Sequence, residues 1–250
     1  MTTRDDDELW IRRFHTAQES AVSLVCLPHA GGSAGSYFSL SQELAPSVEM
    51  LAVQYPGRQD RRWEPPARSV EELAAGVAGA LGARDRPVVL FGHSMGGAVA
   101  FELARILEDS GGAAPTALVV SARRAPSLPR PGAGEPGPAS DEEIKSSMRR
   151  LEGTDARLLE DPELLRFFLP ALRADYMVAG SYRGPADGQV ACPITALVGD
   201  ADPETTLDDA RAWGRHTTGA FDMHVYPGGH FFIDSNLPAV VKALSEACGR

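Results

Sequence analysis

One serine in this chain sits where a nucleophile would. Ser94 lies within Gly92-His93-Ser94-Met95-Gly96, and the Gly-x-Ser-x-Gly spacing suits a sharp strand-to-helix turn that leaves the central hydroxyl exposed. A serine hydroxyl is a poor nucleophile at neutral pH, so it needs a base within hydrogen-bond reach and a carboxylate that fixes the base's tautomer. Of the six histidines, His15 precedes the expected sheet, His216 falls in a helical pattern and His224 within a strand pattern. His93 adjoins Ser94, and neighbours at such a turn point apart. His230 is the candidate base: it follows a strand and a Gly-Gly pair, and it comes after the serine and after a candidate acid.

Gly199-Asp200-Ala201-Asp202-Pro203 offers two acids. Asp202 is favoured because it lies far enough past the strand end to turn back, with Pro203 to stiffen it. Asp200 is the alternative, and is otherwise expected to hydrogen-bond its own loop's backbone. The oxyanion formed by attack needs preorganised donors, each worth about 2.7–4 kcal/mol in the transition state. The amide of Met95, at the start of a helix, and that of Ala30, in His29-Ala30-Gly31-Gly32, are the candidates. His29 itself is expected to brace that loop. The sequence has no His-Glu-x-x-His, no cysteine spacing suited to a metal and no glycine-rich phosphate loop, so neither a metal nor a cofactor is expected.

These residues need a scaffold, and the hydropathy pattern supplies one. Ala21–Leu27, Val48–Val53, Val88–Phe91, Thr116–Ser121, Pro193–Val198 and Asp222–Tyr226 read as strands, with a further edge strand in 9–15. Helical spacing appears over Ser36–Leu44, from the capping box Ser69-Val70-Glu71-Glu72 to about Leu81, and over Met95–Asp109, Thr206–His216 and Leu237–Ala247. Strands alternating with helices predict a parallel α/β sheet covered on both faces. After Ser121 the rhythm fails: five prolines and three glycines lie between Ala125 and Ser140. Helices are expected again from the box Ser140-Asp141-Glu142-Glu143 to about Leu151, and from Pro162 to Tyr182. Leu158, Leu164, Leu165, Phe167, Phe168, Leu172, Tyr176 and Met177 give this insertion enough apolar surface to line a chamber over the carboxyl edge of the sheet.

The 250 residues are read as a single domain, 1–250, with an insertion at 125–185. A net charge of −10 argues against nucleic acid. Cys26, Cys192 and Cys248 are odd in number and far apart, which points to a reducing compartment. The acidic start, Asp5-Asp6-Asp7-Glu8, is unlike a signal peptide, and no apolar run is long enough to span a bilayer. A cytoplasmic monomer is the expectation.

Five ordered motifs carry a resemblance. Cys26-Leu27-Pro28-His29-Ala30-Gly31-Gly32-Ser33-Ala34, Gln54-Tyr55-Pro56-Gly57-Arg58, Gly92-His93-Ser94-Met95-Gly96-Gly97, Gly199-Asp200-Ala201-Asp202-Pro203 and Pro227-Gly228-Gly229-His230-Phe231-Phe232 together resemble the type II thioesterases, the stand-alone editing hydrolases of polyketide and non-ribosomal peptide synthesis. The resemblance implies an α/β-hydrolase fold with a helical lid between strands 6 and 7, Ser94 as nucleophile, His230 as base and an aspartate after the seventh strand. It implies hydrolysis of acyl groups from the phosphopantetheine arm of acyl or peptidyl carrier proteins. Chain-releasing thioesterases resemble it too but take their acid after the sixth strand, and no Asp or Glu occurs here between Thr116 and Arg130. Carriers are acidic, so Arg58, Arg61, Arg62, Arg123, Arg124 and Arg130 are expected to gather into a basic docking patch. A carboxylesterase or acyltransferase of the same fold, and an idle hydrolase that only binds, are the competing readings.

Overall fold

The computed structural model describes residues 8–17, 20–82, 86–111, 114–128, 140–151 and 162–250. Seven strands form one sheet in the order β1-β3-β2-β4-β5-β6-β7. They are β1 (Ile11–Arg12), β2 (Ser23–Leu27), β3 (Glu49–Val53), β4 (Val88–His93), β5 (Ala117–Ser121), β6 (Ile194–Gly199) and β7 (Phe221–Tyr226). All neighbours run parallel except β1, which pairs antiparallel with β3 through Ile11 opposite Val53. The edge strand expected in 9–15 is thus two residues long.

The helices are α1 (Phe38–Leu44), α2 (Val70–Leu81), α3 (Met95–Asp109), α4 (Asp141–Leu151), α5 (Pro162–Ser181), α6 (Leu207–Arg211), α7 (Phe232–Ser235) and α8 (Leu237–Ala247). The Ser69 hydroxyl caps α2 by accepting the Glu72 amide at 3.0 Å. Glu72 reaches back one residue further than a capping box requires, to the Arg68 amide at 2.7 Å. At α4 the box is reciprocal between Ser140 and Glu143.

Strands β2, β4 and β5 are buried along their whole length, which is why they read as unbroken apolar runs. Alternate residues of β2 divide between two cores. Val25 and Leu27 face α2 and α3 on one side, and Leu24 and Cys26 face α1 and α8 on the other. Helices α4 and α5 fall between Ser121 and Ile194, as the sequence predicts. Ser121 and Ile194 belong to the fifth and sixth strands of this sheet, one fewer than the resemblance implies, so the insertion expected between strands 6 and 7 lies between β5 and β6, and the aspartate expected after strand 7 follows β6.

Every loop that carries a candidate residue follows the carboxyl end of a parallel strand. Ala30 follows β2, Arg58 β3, Ser94 β4, Arg123 β5, Asp202 β6 and His230 β7. The register sets their heights, pairing Leu27 with Gly92, His93 with Ser121, and Gly199 with Tyr226. A parallel sheet thereby gathers residues from distant parts of the chain at one edge.

Candidate active site

Ser94 joins β4 to α3 in the left-handed region, φ 54° and ψ −117°. Such a backbone costs roughly 1–3 kcal/mol in a residue with a side chain. The surrounding contacts hold it there: its amide donates to the Ser121 carbonyl at 2.8 Å, and its carbonyl accepts from Gly97 at 3.0 Å. The flanking glycines are required by space. A Cβ on Gly92 would run into the backbone of Gly96, and one on Gly96 into the carbonyls of Leu27 and Pro28.

The turn presents the Ser94 hydroxyl to His230 Nε2 at 2.9 Å. On the other side of the ring, Nδ1 lies 3.0 and 2.9 Å from the two carboxylate oxygens of Asp202. Because an ionised Asp202 can only accept, Nδ1 carries the proton and Nε2 is left to accept from serine. His230 and Asp202 are both buried, and the Glu204 amide donates to Asp202 Oδ1 at 2.8 Å. The structure therefore brings together three of the predicted residues in one hydrogen-bonded chain.

Asp200 takes another part. It is exposed, and its carboxylate accepts the Gly228 amide at 2.9 Å. It clasps the histidine loop rather than its own loop, a correction to the expected role. Gly199 permits that approach, since a Cβ there would strike the carbonyls of Gly228 and Gly229.

Behind His230 lie two more imidazoles. His93 is 5.4 Å from it ring to ring, and His29 is 5.8 Å from His93, with Phe231 packed against all three. Burial holds His93 well below the ordinary histidine range, helped by the nearby His230 and His29. Burial likewise lowers His29 to about 4, with His230 and Arg58 adding to it. Both rings are neutral at pH 7, and among the described residues only His230 of the three has a carboxylate partner. His93 Nδ1 pairs with Ser121 Oγ at 3.0 Å, and its Nε2 has no hydrogen-bond partner among the described residues. The His29 carbonyl accepts the Gly32 amide at 2.9 Å within its own loop, and its ring packs against Phe231.

Ser94, His230 and Ala30 border a cavity of about 330 Å³. Its opposite wall is α5, through Leu165, Phe168, Leu172 and Tyr176. Phe167 and Met177 are corrections to the expected lining, being 71% and 55% exposed on other faces of that helix. Leu158 and the side chain of Leu164 lie outside the described residues. Met95 is the first residue of α3, where an amide has no partner within its helix. Gly31 and Gly32 donate to Asp175 and to the His29 carbonyl, while the Ala30 amide has no acceptor among the described residues.

Among the described residues the expected basic patch does not form as a unit. Arg58 is buried against Asp175 of α5, in a two-pronged pair at 2.6 and 2.8 Å. Arg61 is also buried, donating to the Gln54 carbonyl at 2.8 Å and to the carboxylate of Glu64, with Trp10 beneath it. Arg124 pairs with Asp209 and the Glu204 carbonyl. Arg123 lies over Tyr182 at the cavity wall, and Arg130 is outside the described residues. Arg62 is exposed, stacked on a Trp63 that is 83% exposed. Burial overrides the expectation because each buried guanidinium closes a loop whose carbonyls need donors.

Sequence reasoning missed Asp175 and Glu204. A signal for Asp175 was available, an acid set among the apolar positions Leu172, Tyr176 and Val178 of a helix.

A serine-histidine-aspartate chain on these loops of a mostly parallel sheet defines an α/β hydrolase. Residues 22–248 match the thioesterase domain family, and the chain belongs to that family. It is 50% identical to thioesterase PikA5 of Streptomyces venezuelae over 243 residues, 96% of this chain and 86% of the relative. It is 47% identical to the probable cadicidin biosynthesis thioesterase of Streptomyces griseus over 249 residues, 99% of this chain and 68% of the relative. Among solved structures it resembles the type II thioesterase BorB from the borrelidin biosynthetic cluster, with a TM-score of 0.87, 46% identity and coverage of 96% of this chain and 98% of that one.

Proposed function

We propose that this protein is a stand-alone editing thioesterase that hydrolyses aberrant acyl groups from the phosphopantetheine arm of acyl or peptidyl carrier proteins of a polyketide or non-ribosomal peptide synthase. The observation that carries the reading is the chain from Ser94 through His230 to Asp202, opening on an apolar cavity. Structural relatives whose names place them in NRPS/PKS pathways, the type II thioesterase YbtT and ClbQ, support the substrate class. Three free cysteines, two of them buried, suit a reducing cytoplasm.

In this mechanism Ser94 Oγ attacks the thioester carbonyl as its proton passes to His230 Nε2, and Asp202 stabilises the imidazolium. The amides of Ala30 and Met95 hold the tetrahedral oxyanion. The C–S bond then breaks, the departing pantetheine sulfur takes the proton from His230, and the acyl group remains on Ser94. Water attacks this ester, giving one proton to His230, which returns it to Ser94 as the free acid leaves. A thioester suits so simple a site, because it lacks amide resonance and its thiolate leaves readily.

The test is a panel of acyl-loaded carriers, free acyl thioesters and matched oxygen esters. Thioester hydrolysis that exceeds ester hydrolysis and vanishes in Ser94→Ala, together with fluorophosphonate labelling of wild type only, is the expected result. Preference for the oxygen ester, or acyl transfer to an added acceptor in place of hydrolysis, would overturn the substrate assignment.

A further inference from the structure

The buried pair of Arg58 and Asp175 stands apart from the Ser94 chain, yet it ends on the loop that carries Ala30. Asp175 comes from α5, 144 residues further along than Gly31, whose amide donates to Asp175 Oδ2 at 2.7 Å. The same oxygen accepts Arg58 Nη1 at 2.6 Å, and Oδ1 accepts Nη2 at 2.8 Å. Arg58 Nη1 also donates to the Gly32 carbonyl at 3.0 Å. One turn before Asp175 on α5, Leu172 presses on Gly31, where a Cβ would come within 2.6 Å of its Cδ1. Gly31 is left-handed, φ 77°, so both its conformation and its packing need glycine.

The loop is thus fixed on both sides of Gly31 by groups outside it. With the Gly31 and Gly32 amides engaged, that of Ala30 is left to serve the cavity. An ionised carboxylate is what this arrangement requires, because it meets three N–H donors and an asparagine would turn its own amide toward the guanidinium.

We propose that Asp175 is a positioning residue for the hydrolysis. From the inserted helix it sets the Ala30 amide through Gly31 and Arg58, so that seating of α5 and stabilisation of the oxyanion are one structural event. The proposal rests on the reading of Ala30 as an oxyanion donor.

Asp175→Asn and Asp175→Glu are compared with wild type on a small acyl thioester. Two inhibitors of the same acyl length are added: a trifluoromethyl ketone, whose serine adduct fills the oxyanion site, and a thioether that copies only the ground state. The expected result is a kcat lowered roughly ten- to hundredfold, since displaced donors act on the transition state. KM and thioether binding stay as in wild type, ketone affinity falls by the same factor as kcat/KM, and circular dichroism is unchanged. Wild-type kcat in both variants, or equal losses for ketone and thioether, would overturn the proposal. If the asparagine variant does not fold, Asp175→Glu, which keeps the charge and shifts it by one methylene, decides. If wild type hydrolyses no thioester, the functional reading falls, and the ketone-to-thioether comparison still decides the positioning role.

Discussion

Two aspartates, two residues apart, hold the histidine loop in different ways, and the difference is measurable. Asp202 faces the His230 ring with both oxygens and is buried, whereas Asp200 holds one backbone amide at the surface. Asp202→Asn should lower kcat by roughly 10³–10⁴-fold, because an amide no longer fixes the tautomer or stabilises the imidazolium. Asp200→Asn keeps an acceptor for Gly228 and should lower kcat by no more than about tenfold. Steady-state kinetics on a small thioester check the order, and its reversal would move the acid to Asp200. The arginines separate just as clearly. Arg61→Glu sets a buried carboxylate beside Glu64 and strips the Gln54 carbonyl of its donor, so urea unfolding should show a loss of roughly 3–5 kcal/mol. Arg62→Glu, at an exposed side chain, should change stability by less than about 0.5 kcal/mol.

At the scale of elements, α5 does three things from one stretch of helix. Leu165, Phe168, Leu172 and Tyr176 turn to the cavity, Asp175 reaches the β2 loop, and Phe167 faces solvent. Helical geometry explains the division, since residues three, four and seven apart share a face while neighbours do not. Phe168→Ala should lower kcat/KM for longer acyl chains relative to acetyl, by roughly ten- to a hundredfold for the contact area lost. Phe167→Ala should leave the chain-length profile as in wild type. A series of acyl thioesters read side by side tests both, and an identical shift in the two variants would remove α5 as the acyl wall.

The whole molecule carries its own pH dependence. His93 and His29 are held neutral in the fold, chiefly by burial, while the unfolded chain protonates them near the ordinary 6.5. Below that value the unfolded state takes up more protons, so stability is fully present above about 6.5 and is lost progressively as the pH falls toward 4. Calorimetry between pH 7.5 and about 4.5 should show Tm falling on the acid side. His93→Gln, which keeps a partner for Ser121, should flatten that fall. A Tm independent of pH across this window would contradict the neutral cluster. Among the described residues no helix is long and apolar enough to cross a membrane.

Local pattern sufficed wherever a residue's role follows from its neighbours in the chain. The glycines around Ser94 are demanded by a turn with no room for a Cβ, and the apolar runs of β4 and β5 before the Ser94 and Arg123 loops are demanded by strands buried along their whole length. The elbow, the histidine loop and the alternation of strands with helices were therefore readable from the sequence alone. Position in three dimensions decided the rest. Asp202 differs from Asp200 by which way a loop folds back, and Arg58, which reads as a surface cation, is neutralised by an acid 117 residues away. Charge next to charge across such a gap leaves no periodic trace, because it is fixed only when α5 packs over the carboxyl edge of the sheet and both groups lose water together.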